Sequence, residues 1–389
     1  MATLLRDVPH TPRRPTELDR LIADVCEALQ ISAAQYANAV EKYQNVGRWL
    51  AAPDSPLAYL QPDVYPQGSM ALGTTTRPWN DSDTYDLDIV LQVVAISEDP
   101  MVLYDAVERR LLESPHYRDI LKRKKRCLCL NFEGKDNEFH MDILPARADD
   151  ARGGTCIEVP DRKTPEKWQP SNPIGFKAWF ERQAQQAAMR FLEAHNQAPL
   201  PDNDPAHAKT ILQRAVQLMK RRRDLVFKDP DLAPRSVVLT TLAGTHYAGE
   251  QDVVSALISI LSGISASIEA ARPERIVVCN PTNSDEKFCE SFKTAEQYDA
   301  FTGFVTQLLG EVRGLLALQS LDKMEAALAK MFGEKITQRA LAEYKKRLPG
   351  APAIITSRGR SDSAEVQRLE ELRQIALGGE APAKPWACG

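Results

Sequence analysis

The sequence predicts an α+β protein in two lobes, with a mixed sheet supported by N-terminal helices in the first and helices almost alone in the second. Three observations carry this. Short β-type runs alternate with helical spacing between Asp63 and Ala146, helical periodicity is nearly continuous after Pro173, and the chain has 389 residues, more than one core usually serves at about 100–200 residues per domain. The expected boundaries are a lead over 1–16, a sheet core with its helical spine over 17–172, a helical lobe over 173–348 and a tail over 349–389.

The elements follow in order. Glu17 to Leu29 has helical spacing, and Ser32-Ala-Ala-Gln35 is a capping-box pattern that opens a second helix. That helix carries Tyr36, Val40, Tyr43, Val46 and Leu50 as one apolar stripe. Strands are expected at Val64–Gln67, Asp86–Val94, Cys127–Phe132 and Phe139–Leu144, with Glu133–Glu138 as a hairpin connection between the last two. A helix from Met101 to Leu112 interrupts them. In the second lobe the spacing predicts helices over Pro173–His195, Ala206–Val226, Ser236–Tyr247, Asp252–Ala271, Ala295–Ala317, Leu321–Phe332 and Ile336–Leu348. Arg275–Val278 is the one short strand or extended link among them.

Composition excludes several classes. Lys and Arg total 49 against 53 Asp and Glu, a net charge of −4, so a nucleic-acid coat is not expected, because affinity there grows with the phosphates neutralised. Seven cysteines are scattered without a CxxC pair, which argues against a disulfide framework or a zinc site. Cys127 and Cys129 read as small hydrophobes on one strand face. The first ten residues hold an acid and a proline where a signal peptide needs an unbroken apolar core. No stretch approaches the ~20 apolar residues of a membrane span. The expectation is a cytoplasmic protein without a membrane partner.

The chemistry lies in Gln67-Gly68-Ser69-Met70-Ala-Leu-Gly73-Thr74-Thr75-Thr76 and in Asp86-Leu87-Asp88-Ile89. Residues two apart in a strand share a face, so Asp86 and Asp88 project together while Leu87 and Ile89 face the core. Two carboxylates about 6–7 Å apart repel each other and become tolerable around a divalent cation. Oxygen-only ligation suits magnesium or manganese better than zinc. Asp142, flanked by apolar residues in Phe139-His-Met-Asp-Ile-Leu144, is the best third carboxylate for a two-metal site. Gly68-Ser69 offers backbone amides and a hydroxyl on a tight turn, equipment for gripping phosphate.

Gly68-Ser69, Asp86-Leu-Asp88 and a separate Asp142 resemble the signature of the DNA polymerase β-like nucleotidyltransferase superfamily. The form Gln-Gly-Ser-Met-Ala-Leu-Gly-Thr, the helical spine and the helical second lobe look like the bacterial CD-NTases, relatives of cyclic GMP-AMP synthase that make cyclic oligonucleotide signals in anti-phage (CBASS) defence. The resemblance covers residues 15–345, with sharp motifs in 65–90 and 139–145. One departure is the insertion Arg77–Tyr85 between Ser69 and Asp86, whose Asp81 and Asp83 are rival ligands. Asp86 and Asp88 are preferred because they adjoin the apolar strand.

The resemblance implies a bilobal enzyme with its site in the cleft, making a cyclic di- or trinucleotide from ATP and other NTPs and releasing pyrophosphate. Asp86 and Asp88 would bind two Mg²⁺ ions, with Mn²⁺ as the alternative, and the donor triphosphate. Asp142 would complete one ion and help deprotonate the attacking ribose hydroxyl. Gln67, Gly68 and Ser69 would hold the phosphates. Some relatives have ubiquitin-transferase-like partners that conjugate the synthase's last residue, which makes Gly389 a candidate conjugation site, against a reading as a frayed end.

Secondary candidates carry two readings each. Lys220 of Lys220-Arg-Arg-Arg223 either reaches nucleotide phosphates or complements a helix C-terminus. The run Leu121–Arg126 is a solvated face or a nucleic-acid contact. His140 neighbours the metals or packs against the hairpin. Ser236 is an N-cap or a base contact, and Asn280-Pro-Thr-Asn283 is a family motif or an ordinary turn. The competing functions are transfer to another acceptor (RNA, protein or small molecule) and a catalytically silent nucleotide-binding scaffold.

Overall fold

The computed structural model describes residues 16–78, 84–94, 97–132, 139–194, 209–288 and 292–347. Asp81, Asp83, the Glu133–Glu138 connection and Gly389 lie outside them.

Helices α1 (Glu17–Ala28) and α2 (Ala33–Leu50) both start on capping boxes, Thr16 with Asp19 and Ser32 with Gln35. The α2 stripe packs as expected, with Val46 and Leu50 fully buried. The sheet contains β1 (Asp63–Gln67), β2 (Tyr85–Val93), β3 (Leu121–Arg123), β4 (Leu128–Phe132), β5 (Phe139–Ala148), β6 (Ile157–Val159) and β7 (Gln169–Ser171), with a short helix α3 (Gly68–Ala71) after β1 and α4 (Pro100–Glu113) and α5 (Pro115–Ile120) after β2. Its main order is β1-β2-β5-β4-β3, with β6 and β7 added beyond β5. The β2–β5 pair is parallel and its neighbours are antiparallel, so the sheet is mixed. Alternate residues of β2 (Leu87, Ile89, Leu91) fill the core with Leu103 and Val107 of α4.

The second lobe comprises α6 (Pro173–Ala194), α7 (Ile211–Val226), α8 (Ser236–His246), α9 (Val253–Ala271), the hairpin β8 (Cys279–Asn280) and β9 (Asn283–Lys287), α10 (Ala295–Leu315), α11 (Leu321–Phe332) and α12 (Glu334–Lys346). Leu18, Leu21, Ile22 and Val25 of α1 are buried in this lobe's core rather than under the sheet, and the Tyr344 hydroxyl of α12 donates to Glu17 at 2.8 Å. Placing all of 17–172 with the sheet is therefore corrected at α1, whose apolar face found the helical core.

Helix α7 starts at Ile211, not Ala206, because Thr210 caps it through Gln213. Arg275–Val278 is an extended link, with the Val278 carbonyl accepting from the Phe288 amide at 2.8 Å. The hairpin instead follows directly, and its strands are polar and short, which hid them from an apolar-pattern search. Asn280-Pro-Thr-Asn283 makes its turn, with Asn280 Oδ1 accepting from the Thr282 amide at 2.9 Å. From β9, Glu286 latches the lobes together. Its carboxylate accepts from the Ser171 hydroxyl (2.8 Å), the Asn172 amide (2.9 Å) and Asn280 Nδ2 (2.7 Å).

The reading that no stretch suits a membrane is also corrected, since α9 is long and apolar enough to cross one by length and composition alone. Val254, Leu257, Ile260, Leu261 and Ile264 of that helix are core residues here. Among the described residues, Cys26, Cys127, Cys129 and Cys156 are free thiols.

Candidate active site

The parallel pairing of β2 with β5 brings the acids together. Asp88 stands opposite Asp142 and Asp86 opposite His140. Alternation does the rest, because Leu87, Ile89, Met141 and Ile143 are buried and the carboxylates between them take the other face. On the far side of β2, Gln67 of β1 is opposite Asp88. The next residue, Gly68, has φ +61, and any side chain there would collide with the Asp88 carboxylate. Glycine is thus required twice, for the left-handed backbone and for the close approach.

Ser69 is the second residue of α3, its hydroxyl 3.0 Å from that of Thr75. Together with Asp86, Lys220, Arg223, Arg235 and Ser236 it lines a cavity of about 450 Å³ between the lobes. Gln67 and Gly68 are not among the residues that line it. Asp224 also faces the cavity and pairs with Arg223.

The electrostatics are those of crowded acids. Burial, with the charges of Asp86 and Asp142 added, pushes the Asp88 carboxyl up to about 7. Asp86 is open to solvent. Lys124 Nζ sits 2.9 and 3.0 Å from the two Asp142 oxygens. Although burial pulls the ammonium of Lys124 down, Asp142 holds it above the ordinary lysine range. Lys220 is only 7% exposed, and burial with the nearby Arg223 brings it down to about 8.

The oxygen-only donor set, and a carboxyl pushed up by burial and by two neighbouring acids whose repulsion a cation would offset, fit a hard divalent cation. Among the described residues no three His, Cys, Asp or Glu side chains form a finished metal cage. In this structure Lys124 occupies the Asp142 carboxylate.

Several expectations meet their geometry here. Lys220 lies inside α7 and donates to the Thr74 carbonyl at 3.0 Å, so complementing the helix end is not its role. Ser236 is not the N-cap of α8; Arg235 occupies that position without a side-chain cap bond. The Ser236 hydroxyl instead accepts from Arg223 at 2.5 Å. His140 faces Asp86, Nδ1 to Oδ1 3.8 Å, and lies 3.1 Å from the Thr84 hydroxyl.

Most cations of the basic run have acidic partners. Arg123 pairs with Asp105 and Glu108, and Lys125 and Arg126 pair with Asp161. Sequence reasoning missed the Lys124–Asp142 bridge and the part of Asp224 and Arg235 in the cavity. The position of Asp224 beside Arg223, in the run already singled out, was the available signal.

With this geometry in view, the chain can be set beside known proteins. Residues 18–183 match the Second Messenger Oligonucleotide or Dinucleotide Synthetase domain. A c-di-GMP synthase of Roseivirga ehrenbergii is 31% identical over 328 residues, 83% of this chain and 86% of the relative. The cyclic dinucleotide synthase CdnG of Bradyrhizobium diazoefficiens is 28% identical over 386 residues, 87% of this chain and 90% of the relative. The structure of that CdnG in complex with GTP superposes with a TM-score of 0.69 at 25% identity, covering 85% of this chain and 99% of the other. Vibrio cholerae DncV shares the fold at a TM-score of 0.53 and 17% identity, over 83% and 90% of the two chains. Acids on adjacent parallel strands beneath a Gly-Ser turn, on a chain so closely related to dinucleotide synthases, identify it as a member of the bacterial CD-NTases, nucleotidyltransferases of polymerase β-like fold.

Proposed function

We propose that this enzyme makes a cyclic dinucleotide from GTP, using two Mg²⁺ ions and releasing pyrophosphate, as a second messenger of anti-phage (CBASS) signalling. The observation that carries the chemistry is the in-register pair Asp88 and Asp142, with Asp86 beside them, under the Gly68-Ser69 turn. These acids would hold the ions, which when bound offset the charge of the triphosphate and of the departing pyrophosphate. Ser69 binds the β- and γ-phosphates, and Lys220 adds positive charge at the same wall. A ribose 3′ or 2′ hydroxyl attacks the α-phosphorus, the bond to the bridging oxygen breaks, and the hydroxyl proton passes to Asp142. Positioning and charge neutralisation supply the rate.

The resemblance alone implies ATP with other NTPs as further substrates. The base is proposed as guanine because Asp224 and Arg223 present an acceptor and donors together at the cavity. Guanine offers an N1–H and an amino group to a carboxylate, and adenine's matching edge has only one donor. The names of the relatives, a c-di-GMP synthase and a GTP-bound CdnG, support the same base.

The test is to incubate purified protein with Mg²⁺ and GTP alone, ATP alone, or both, and to identify products by mass spectrometry. A cyclic diguanylate from GTP alone is the expected result. A product that requires ATP overturns the base assignment. No cyclic product under any mixture, or an unchanged product from Asp86→Asn with Asp88→Asn, overturns the synthase reading at this site.

A further inference from the structure

The chain after the Gly68-Ser69 turn is hydrogen-bonded along both of its edges. Its amides reach back to the turn: Leu72 N to Gly68 O at 3.1 Å, Gly73 N to Met70 O at 3.2 Å and Thr74 N to Ser69 O at 2.8 Å. Its carbonyls face the other lobe and accept from side chains of α7 and the residues just before it. Lys209 donates to Gly73 O (2.6 Å), Gln213 to Leu72 O (2.9 Å), Gln217 to Thr75 O (2.6 Å) and Lys220 to Thr74 O (3.0 Å), while Arg221 reaches Arg77 O.

Positions 213, 217, 220 and 221 recur at helical spacing and so form one face of α7. A helix face turned to the interior is ordinarily apolar. This one is polar and buried, with Gln217 at 0% and Arg221 at 1% exposure, a placement that costs free energy unless every donor finds an acceptor. Gly73 completes the fit, since its φ is +66 and a side chain there would meet Gln213.

One path through this strap ends on a group of the proposed phosphate site. The Ser69 hydroxyl meets the Thr75 hydroxyl, the Thr75 carbonyl accepts from Gln217, and Gln217 exchanges side-chain bonds with Gln30 at 3.1 and 3.2 Å. Gln217 does not line the cavity. We infer that Gln217 and Thr75 are positioning residues that orient the Ser69 hydroxyl for the triphosphate, coupling phosphate recognition in the sheet lobe to helix α7 of the other lobe. This rests on the proposed role of Ser69, and the test separates the two.

Titration calorimetry on the full chain would compare a GTP analogue with nitrogen bridging the α- and β-phosphates against GMP, which lacks the phosphates Ser69 would hold. Gln217→Met keeps the length and removes the donor. The expected result is about tenfold weaker binding of the analogue, the loss of roughly one hydrogen bond to a charged system, with GMP unchanged. Ser69→Ala should do the same, and the double variant should be no worse than either single one, as for coupled residues.

Equal weakening of both ligands by Gln217→Met, or additive losses in the double variant, overturns the inference. Loss in Ser69→Ala without loss in Gln217→Met overturns it alone. No loss in Ser69→Ala overturns the phosphate role on which it stands. If Gln217→Met does not fold, Thr75→Val cuts the same path at the hydroxyl; because Thr75 itself lines the cavity, its loss supports the inference only if it vanishes in the Ser69→Ala background, and a loss that persists there overturns it.

Discussion

Two basic runs of similar composition, Lys122–Arg126 and Lys220–Arg223, end in opposite circumstances. The first crosses from a short edge strand into a turn, and four of its five cations, Arg123 to Arg126, are partly exposed and paired with carboxylates. The second lies inside α7 between two packed layers, where a run of four covers every direction around the helix. Lys220 and Arg221 are therefore buried against backbone carbonyls, and Arg222 forms a two-bonded pair with Glu311 at 2.6 and 2.9 Å. Charge density alone does not say what a basic run is for. The number of directions its element offers to the interior does.

Both runs approach the same acids, Lys124 at Asp142 and Lys220 beside Asp86, so removing the acids is the strongest way to sharpen the contrast. Asp86→Asn with Asp88→Asn should lower product formation by on the order of 10³-fold or more while leaving the fold intact, as read by labelled-nucleotide turnover beside a thermal melt. Next in size is Arg222→Ala, which leaves the half-buried Glu311 without its cation and should cost about 3–5 kcal/mol in urea unfolding. Lys125→Ala, in the exposed run, should cost less than about 1 kcal/mol by the same measurement. If the two costs were equal, the contrast would be broken. Lys220→Met should raise the KM for nucleotide about tenfold, whereas Lys122→Met should leave KM unchanged.

The smallest effect is one of pH. Asp88 is raised from its ordinary 3.8 to about 7 by burial and by Asp86 and Asp142. Between those values the folded chain keeps a proton that the unfolded chain has released, so the stability of the metal-free protein should fall as pH rises from about 4 to about 7. A melting temperature that drops by a few degrees in chelator across this range, and not in Asp88→Asn, is the expected outcome. Mg²⁺ should restore the loss at the upper end.

Much of this was legible because it depends on local order. Alternation in Asp86-Leu87-Asp88-Ile89 fixes which side chains share a face, and Ser32 with Gln35 marks a helix start whatever the tertiary context. Asp142 was readable as an acid between apolar neighbours, but its pairing with Asp88 follows from parallel register across some fifty intervening residues, which no local pattern encodes. The partners of Lys124 and of α7 were hidden for the same reason. The hairpin Cys279–Lys287 was hidden by its polar composition, since its value lies in Asn280 and Glu286 meeting Ser171 and Asn172 and not in apolar burial. Ser236 shows the opposite error, where a good capping residue stands one position too late.

Glu286 has a consequence for the order of events in the cleft. Its carboxylate fastens the lobes at one place and the α7 strap fastens them at another, so hinge-like gaping is poorly suited to this architecture. If Asp86 and Asp88 hold the triphosphate as proposed, the two phosphodiester bonds of a cyclic dinucleotide would form in turn over the same acids. With the walls pinned, the linear intermediate and not the protein would have to turn end for end between the first bond and the ring closure.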